Sequence, residues 1–123
     1  MDMRLELVPI PVVDVDRAKT FYVDSVGFGV DHDVSPADGV RVIQLSPSGS
    51  ACSIVLAEGL PGLSAAPGSV RGLHLVVDDI DEARQMLVDR GVEVDEVADL
   101  GGGVRMAGFA DPDGNTWALQ ELP

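Results

Sequence analysis

Apolar and polar positions along this chain follow a pattern that occurs twice. An apolar stretch from Leu5 to Val13 is matched later by one from Leu73 to Val77, and both carry the β-branched residues that strands favour. Pro9 and Pro11 weaken the first as a central strand, because proline cannot donate to a ladder. Each stretch leads into apolar residues at helical spacing: Ala18, Phe21 and Tyr22, then Ala83, Met86 and Leu87. Phe21 and Tyr22 read as core residues on the inner face of the first helix. Asp16 and Asp81 are the expected N-caps, since a carboxylate accepts the orphan backbone N–H groups there. Gly27 and Gly91 stand where a left-handed C-cap belongs.

Hairpins follow in both halves. Val40 to Leu45 and Cys52 to Ala57 flank Ser46-Pro47-Ser48-Gly49-Ser50, and Val104 to Ala110 and Thr116 to Gln120 flank Asp111-Pro112-Asp113-Gly114-Asn115. Proline presets φ for such turns and glycine takes the positive φ. Short strands near Phe28 to Asp33 and Val92 to Ala98 complete each unit. The halves align residue by residue: Asp14-Val15-Asp16-Arg17-Ala18-Lys19 lies over Asp79-Ile80-Asp81-Glu82-Ala83-Arg84 at an offset of 65. After one deleted residue, Gly27, Val30 and Asp31 match Gly91, Val94 and Asp95. The chain is therefore expected to form one α+β domain over 1–123. Its βαβββ units cover 4–58 and 70–123, joined by a Gly/Pro/Ser/Ala linker at 59–69.

Composition narrows the function. The chain of 123 residues is 46% hydrophobic, enough for one buried core. No apolar run approaches the roughly 20 residues of a membrane span, and the N-terminus lacks the basic-then-apolar order of a signal peptide. Cytoplasmic location is expected, with no membrane partner. A lone cysteine, Cys52, makes no intrachain disulfide and is read as a small buried hydrophobe. The net charge of −13 repels phosphate backbones, which excludes nucleic acid and favours cationic small molecules. Gly101-Gly102-Gly103 lacks the lysine and Ser/Thr of a phosphate loop. Neither a nucleophile elbow nor a Cys-x-x-Cys occurs.

The duplicated order, with Asp-x-Asp-x-Ala-x-x-Phe-Tyr near the start and Asp-Pro-Asp-Gly-Asn near the end, resembles the glyoxalase, bleomycin-resistance and extradiol dioxygenase superfamily over nearly the whole chain. The resemblance implies a curved mixed sheet around a cavity, helices on the outer face, and pairing into a homodimer. The family's metal enzymes carry His or Gln and Glu ligands whose matching positions here are Leu7, Val55, Gly72 and Ala118. Leu7 and Gly72 differ by the repeat offset of 65, and Val55 and Ala118 by 63. None of these side chains ligates a metal, so no metal and no other cofactor is expected.

Side chains alternate across a strand, so neighbours two positions away share a face. Pro9 joins Leu7; Ser53 joins Val55; His74 joins Gly72; Thr116 and Gln120 join Ala118. Together they describe an apolar ligand pocket with a few neutral hydrogen-bonding groups. Trp117, of opposite parity, is expected under the helices. Arg41 and Arg105 hold equivalent hairpin positions and read as exposed charges near the cavity mouth, within reach of an anionic ligand; His32 reads as surface. The leading reading is a metal-independent protein that binds a cationic or aromatic small molecule, as a resistance or sequestering protein. The second is a metal-free lyase or isomerase with His74 as catalytic base. A metal-dependent glyoxalase- or dioxygenase-type enzyme with displaced ligands ranks third, and an interaction module with a vestigial cavity fourth.

Overall fold

A computed structural model describes every residue from Met1 to Pro123. The elements run β1 (Leu7–Pro9), α1 (Val15–Thr20), a π-helical turn (Phe21–Val26), β2 (Gly29–Ala37), β3 (Val40–Ser46) and β4 (Ser53–Glu58). Then come β5 (Leu73–Val76), α2 (Ile80–Asp89), β6 (Ala98–Asp99), β7 (Arg105–Ala110) and β8 (Thr116–Glu121). They form two four-stranded sheets, ordered β1-β4-β3-β2 and β5-β8-β7-β6. β1 runs parallel to β4 and β5 to β8; the other pairs are antiparallel. This is the expected α+β architecture, with the sheets left open.

Several elements differ from expectation. β1 is shorter than Leu5 to Val13: after Ile10 N donates to Val55 O at 3.0 Å, Pro11 has no N–H to continue the ladder. β2 is longer than expected and reaches Ala37. The segment 92–98 is mostly not strand. Val94 bridges Phe109 and Asp95 N donates to Gly108 O at 2.9 Å, but the Arg84 guanidinium takes the carbonyls of Val94 and Asp95 at 3.0 and 2.8 Å, and only Ala98–Asp99 forms a strand. Cys52 is half-buried rather than a core residue.

The N-caps lie two residues earlier than expected. Asp14 accepts from Asp16 N and Arg17 N at 3.0 and 3.2 Å, and Asp79 accepts from Glu82 N at 3.1 Å. Asp16 and Asp81 sit inside the first turn instead and face the strands. Each binds an arginine there: Arg41 Nη1 to Asp16 at 2.5 Å, Arg105 Nη1 to Asp81 at 3.1 Å. The repeat thus duplicates an ion pair, and Arg41 and Arg105 turn toward the helices rather than toward a cavity mouth. Arg41 and Lys19 also donate to Asp33, which holds its carboxyl well below the usual carboxylate range.

One core joins both halves. Ile43, Leu45, Ile54 and Leu56 of the first sheet and Ala107, Phe109, Trp117 and Leu119 of the second belong to a single buried cluster with Ala18, Tyr22, Ile80 and Leu87. Each large buried side chain contributes about 1.5–3 kcal/mol. α1 packs on β4, while the turn that follows crosses to the second sheet. There Tyr22 meets Trp117 at 5.7 Å and Phe21 meets Phe109 at 6.5 Å between ring centroids. The helical layer is therefore shared between the sheets.

The Asp111–Asn115 turn fastens this arrangement. The buried Asp111 carboxylate accepts from Tyr22 Oη at 2.8 Å and from Asn115 N at 3.0 Å, Asn115 Nδ2 at 2.8 Å and Asp113 N at 2.9 Å. Asn115 reaches both halves, donating to Pro11 O at 2.9 Å and accepting from Val70 N at 3.1 Å. Gly68 lies flush against the turn at φ +78°: a Cβ there would stand 2.2 Å from Asp113 O.

Candidate functional site

Alternation places the candidate residues on the faces that point away from the shared core. On β4, Ile54 and Leu56 enter the core cluster, so Ser53 and Val55 lie on the opposite face, where both are still buried at 7% and 6% exposure. The register sets Leu7 opposite Ser53 and Pro9 opposite Val55, which brings these residues onto one face. Ser53 Oγ lies 2.6 Å from Ser46 Oγ, which donates to Asp31 at 2.5 Å. A cavity of about 330 Å³ lies beside Pro9 and Val55, walled by Ala57, Val70 and Leu63.

The second sheet repeats this register. His74 stands opposite Ala118 and Val76 opposite Gln120, while Gly72 N donates to Thr116 O at 3.0 Å and to Thr116 Oγ1 at 2.8 Å. Gly72, His74, Thr116, Ala118 and Gln120 thus share one face of the second sheet, with His74 exposed and Ala118 buried. Trp117, 4% exposed, lies in the core as its parity requires, with Tyr22. His74 is exposed, and its Nδ1 lies 2.6 Å from Gly72 O. In the neutral ring that bond requires the proton on Nδ1, so Nε2 is left as an acceptor over the face. His32 is on the surface, as expected.

The group from Leu7 to Val55 and the group from Gly72 to Gln120 lie on different sheets.

Other residues on the second face were not singled out from sequence. Met106, Gly108 and Ala110 of β7 stand opposite Gln120, Ala118 and Thr116. Their alternation with Ala107 and Phe109 was the available signal. Asp95 folds its carboxylate over Gly108, where Oδ2 lies 2.9 Å from the position of a Cβ. At that end of the sheet a hollow of about 620 Å³ is lined by Phe21, Glu93, Asp95, Gly108, Asp111 and Thr116. Neither Glu93 nor Asp95 has a lysine or arginine side chain within ion-pair distance.

The residues at these faces do not fit a metal ion. Leu7, Val55, Gly72 and Ala118 offer no side-chain donor, and no group of three or more His, Cys, Asp or Glu comes close enough to ligate together.

Known structures share the fold and part of the sequence. The crystal structure of TnmS3, an antibiotic binding protein from Streptomyces sp. CB03234, is 38% identical with a TM-score of 0.86, over 99% of this chain and 98% of that one. A glyoxalase/bleomycin resistance protein from the same organism is 40% identical with a TM-score of 0.80, over 94% and 98% of the two chains. A member of the glyoxalase/bleomycin resistance protein/dioxygenase superfamily from Sphaerobacter thermophilus DSM 20745 is 32% identical with a TM-score of 0.83, over 98% of both. Comparison with curated proteins gave no match. No helix is long and apolar enough to cross a membrane. Residues 4–119 match the family described as Glyoxalase/Bleomycin resistance protein/Dioxygenase superfamily, and with the duplicated fold this establishes that the chain belongs to that superfamily.

Proposed function

We propose that this protein binds a cationic or aromatic small molecule on its open sheet faces, without a metal ion, and acts as a cytoplasmic sequestering or resistance protein. The observation that carries this reading is the chemistry of the faces. Leu7, Val55, Gly72 and Ala118 present hydrocarbon or bare backbone where the family's metal enzymes present ligands. Gln120, Thr116, Ser53 and His74 supply a few orienting hydrogen bonds, which suits a small-molecule pocket. Unpaired Glu93 and Asp95, and a net charge of −13, favour a cation. TnmS3, named as an antibiotic binding protein, supports the same class of ligand. Because the two faces lie on separate sheets, a homodimer would close each cavity from the first face of one protomer and the second face of its partner.

Thermal unfolding tests this directly, with bleomycin and a panel of cationic aromatic compounds as probes. A ligand at 100 times its Kd adds about 2.7 kcal/mol to stability. A rise in Tm is expected with at least one compound, unchanged by chelator and absent with Ni, Zn, Fe or Mn alone. A metal-induced rise that chelator abolishes, or no rise with any compound, overturns the reading. Sedimentation should show a dimer.

One observation favours a second reading, a metal-free lyase or isomerase. The Gly72 carbonyl fixes the neutral His74 tautomer with Nε2 free over the face, as a general base requires. His74→Ala should then fold normally and lose turnover of the bound compound; retained turnover removes His74 from the chemistry.

A further inference from the structure

The internal duplication exposes an asymmetry at the seams between the halves. At the offset of 65, Asp111-Pro112-Asp113-Gly114-Asn115 corresponds to Ser46-Pro47-Ser48-Gly49-Ser50, Phe21 to Met86 and Tyr22 to Leu87. At one seam the fully buried Tyr22 ring lies 5.6 Å from Phe28 and 5.7 Å from Trp117, its hydroxyl ends on Asp111, and the hollow beside it is lined by the carboxylates of Glu93, Asp95 and Asp111. At the other seam Leu87 is shorter by most of a phenol, and the Ser46 hydroxyl turns away to Ser53 and Asp31. A hollow of about 330 Å³ remains there, walled by Phe28, Pro47, Leu75, Met86 and Leu119, with Arg90 at its side.

Arg90 is the only charged residue lining that hollow. No carboxylate lies within ion-pair distance of it, unlike Arg41 and Arg105. The guanidinium's one hydrogen bond is a long one, 3.4 Å from Nη1 to Ser25 O. The neighbouring Asp89 carboxylate accepts from Gln85 at 2.8 Å. The hollow opens on the core side of the second sheet, since Leu75 and Leu119 line it, whereas His74 and Ala118 face the other way. Of the second face only Val76 reaches its edge, and none of Gly72, His74, Thr116, Ala118 or Gln120 lines it.

We propose that this seam is a second ligand site, for a planar aromatic carboxylate. The aromatic ring packs against Phe28, Leu75, Met86 and Leu119, and the carboxylate accepts from the Arg90 guanidinium in a bidentate, charge-assisted pair. The size of the hollow matches the lower end of small-molecule pockets. The chain's net charge of −13 repels an anion at long range, so the attraction must come from contact with Arg90.

Titration calorimetry with 2-naphthoate and its neutral analogue 2-naphthalenemethanol tests this on the intact protein. One naphthoate per chain is expected to bind the wild type. Arg90→Gln should weaken naphthoate by at least about tenfold and the alcohol far less, because only the anion loses a charge-assisted bond. Met86→Phe, which copies Phe21 at a position 39% exposed, should block both compounds while unfolding at the wild-type temperature. His74→Ala should bind naphthoate as the wild type does. Failure of wild type to bind naphthoate, equal affinity in Arg90→Gln and Met86→Phe, or loss of binding in His74→Ala each overturns the proposal.

Discussion

The Tyr22 hydroxyl donates to the Asp111 carboxylate at 2.8 Å and accepts from Trp117 Nε1 at 2.9 Å, in the interior where the halves meet. Tyr22→Phe removes both bonds and leaves Asp111 short of a donor. The expected cost is about 1–3 kcal/mol, with Tm lowered by roughly 3–18 °C. Chemical denaturation read by Trp117 fluorescence measures it.

Burial, and then the Asp111 charge, push ionisation of the Tyr22 hydroxyl far above its ordinary value of 10.0. The fold therefore favours the neutral form, while the unfolded chain ionises near the ordinary value. This contribution to stability is full below pH 10 and is lost as pH climbs above it. Tyr22 is the only tyrosine, so tyrosinate absorbance should appear only as the protein unfolds. Tyrosinate forming while the native circular dichroism persists would contradict this. Tyr22→Phe should flatten the alkaline decline.

Asp33, held low by Arg41 and then Lys19, has the opposite sign. Its contribution is present above the ordinary value of 3.8 and fades as pH falls through that value toward its depressed one. Asp33→Asn should lower Tm at pH 7 and cost progressively less in strong acid. The pairs Arg41–Asp16 and Arg105–Asp81 are solvent-accessible, so Arg105→Gln should have a small effect that disappears in 1 M salt, where the Debye length is about 3 Å. A salt-independent loss would point to lost packing instead.

Gly68→Ala combines positive φ with a contact to Asp113 O that no side-chain movement relieves. It should cost at least about 2 kcal/mol. Gly62→Ala, at φ +85° with nothing within 4 Å, carries only the backbone term of about 1 kcal/mol. Equal denaturation midpoints for the two would refute the close approach.

His74 is exposed, so His74→Ala should change stability by less than about 0.5 kcal/mol. Under the binding reading, the same variant should reduce the Tm rise given by a bound ligand.

Much of the fold was legible because both halves state it. Tyr22, Trp117, Gly27 and Gly91 behave as their spacing requires, with Gly27 at φ 96° and Gly91 at φ 88°. The candidate faces followed from parity, which the parallel registers repeat in both sheets. Contacts distant in sequence were not legible. Nothing local reveals that Arg84 caps the carbonyls of segment 92–98, or that Asp16 and Asp81 bind arginines while Asp14 and Asp79 cap. Aspartate at adjacent helix-start positions suits either role, and only the strand behind it decides. The separation of the two faces was also hidden, since alternation tells which residues share a strand face but not where the sheet points.

That separation has a genetic consequence. If the proposed dimer forms, each cavity draws on both protomers, and Val55 and His74 of one chain serve different cavities. Mixing a Val55→Glu chain with a His74→Ala chain should yield heterodimers with one doubly altered cavity and one intact cavity. Two inactive variants would then restore ligand capacity when co-expressed, whereas variants altered on the same face would not complement each other.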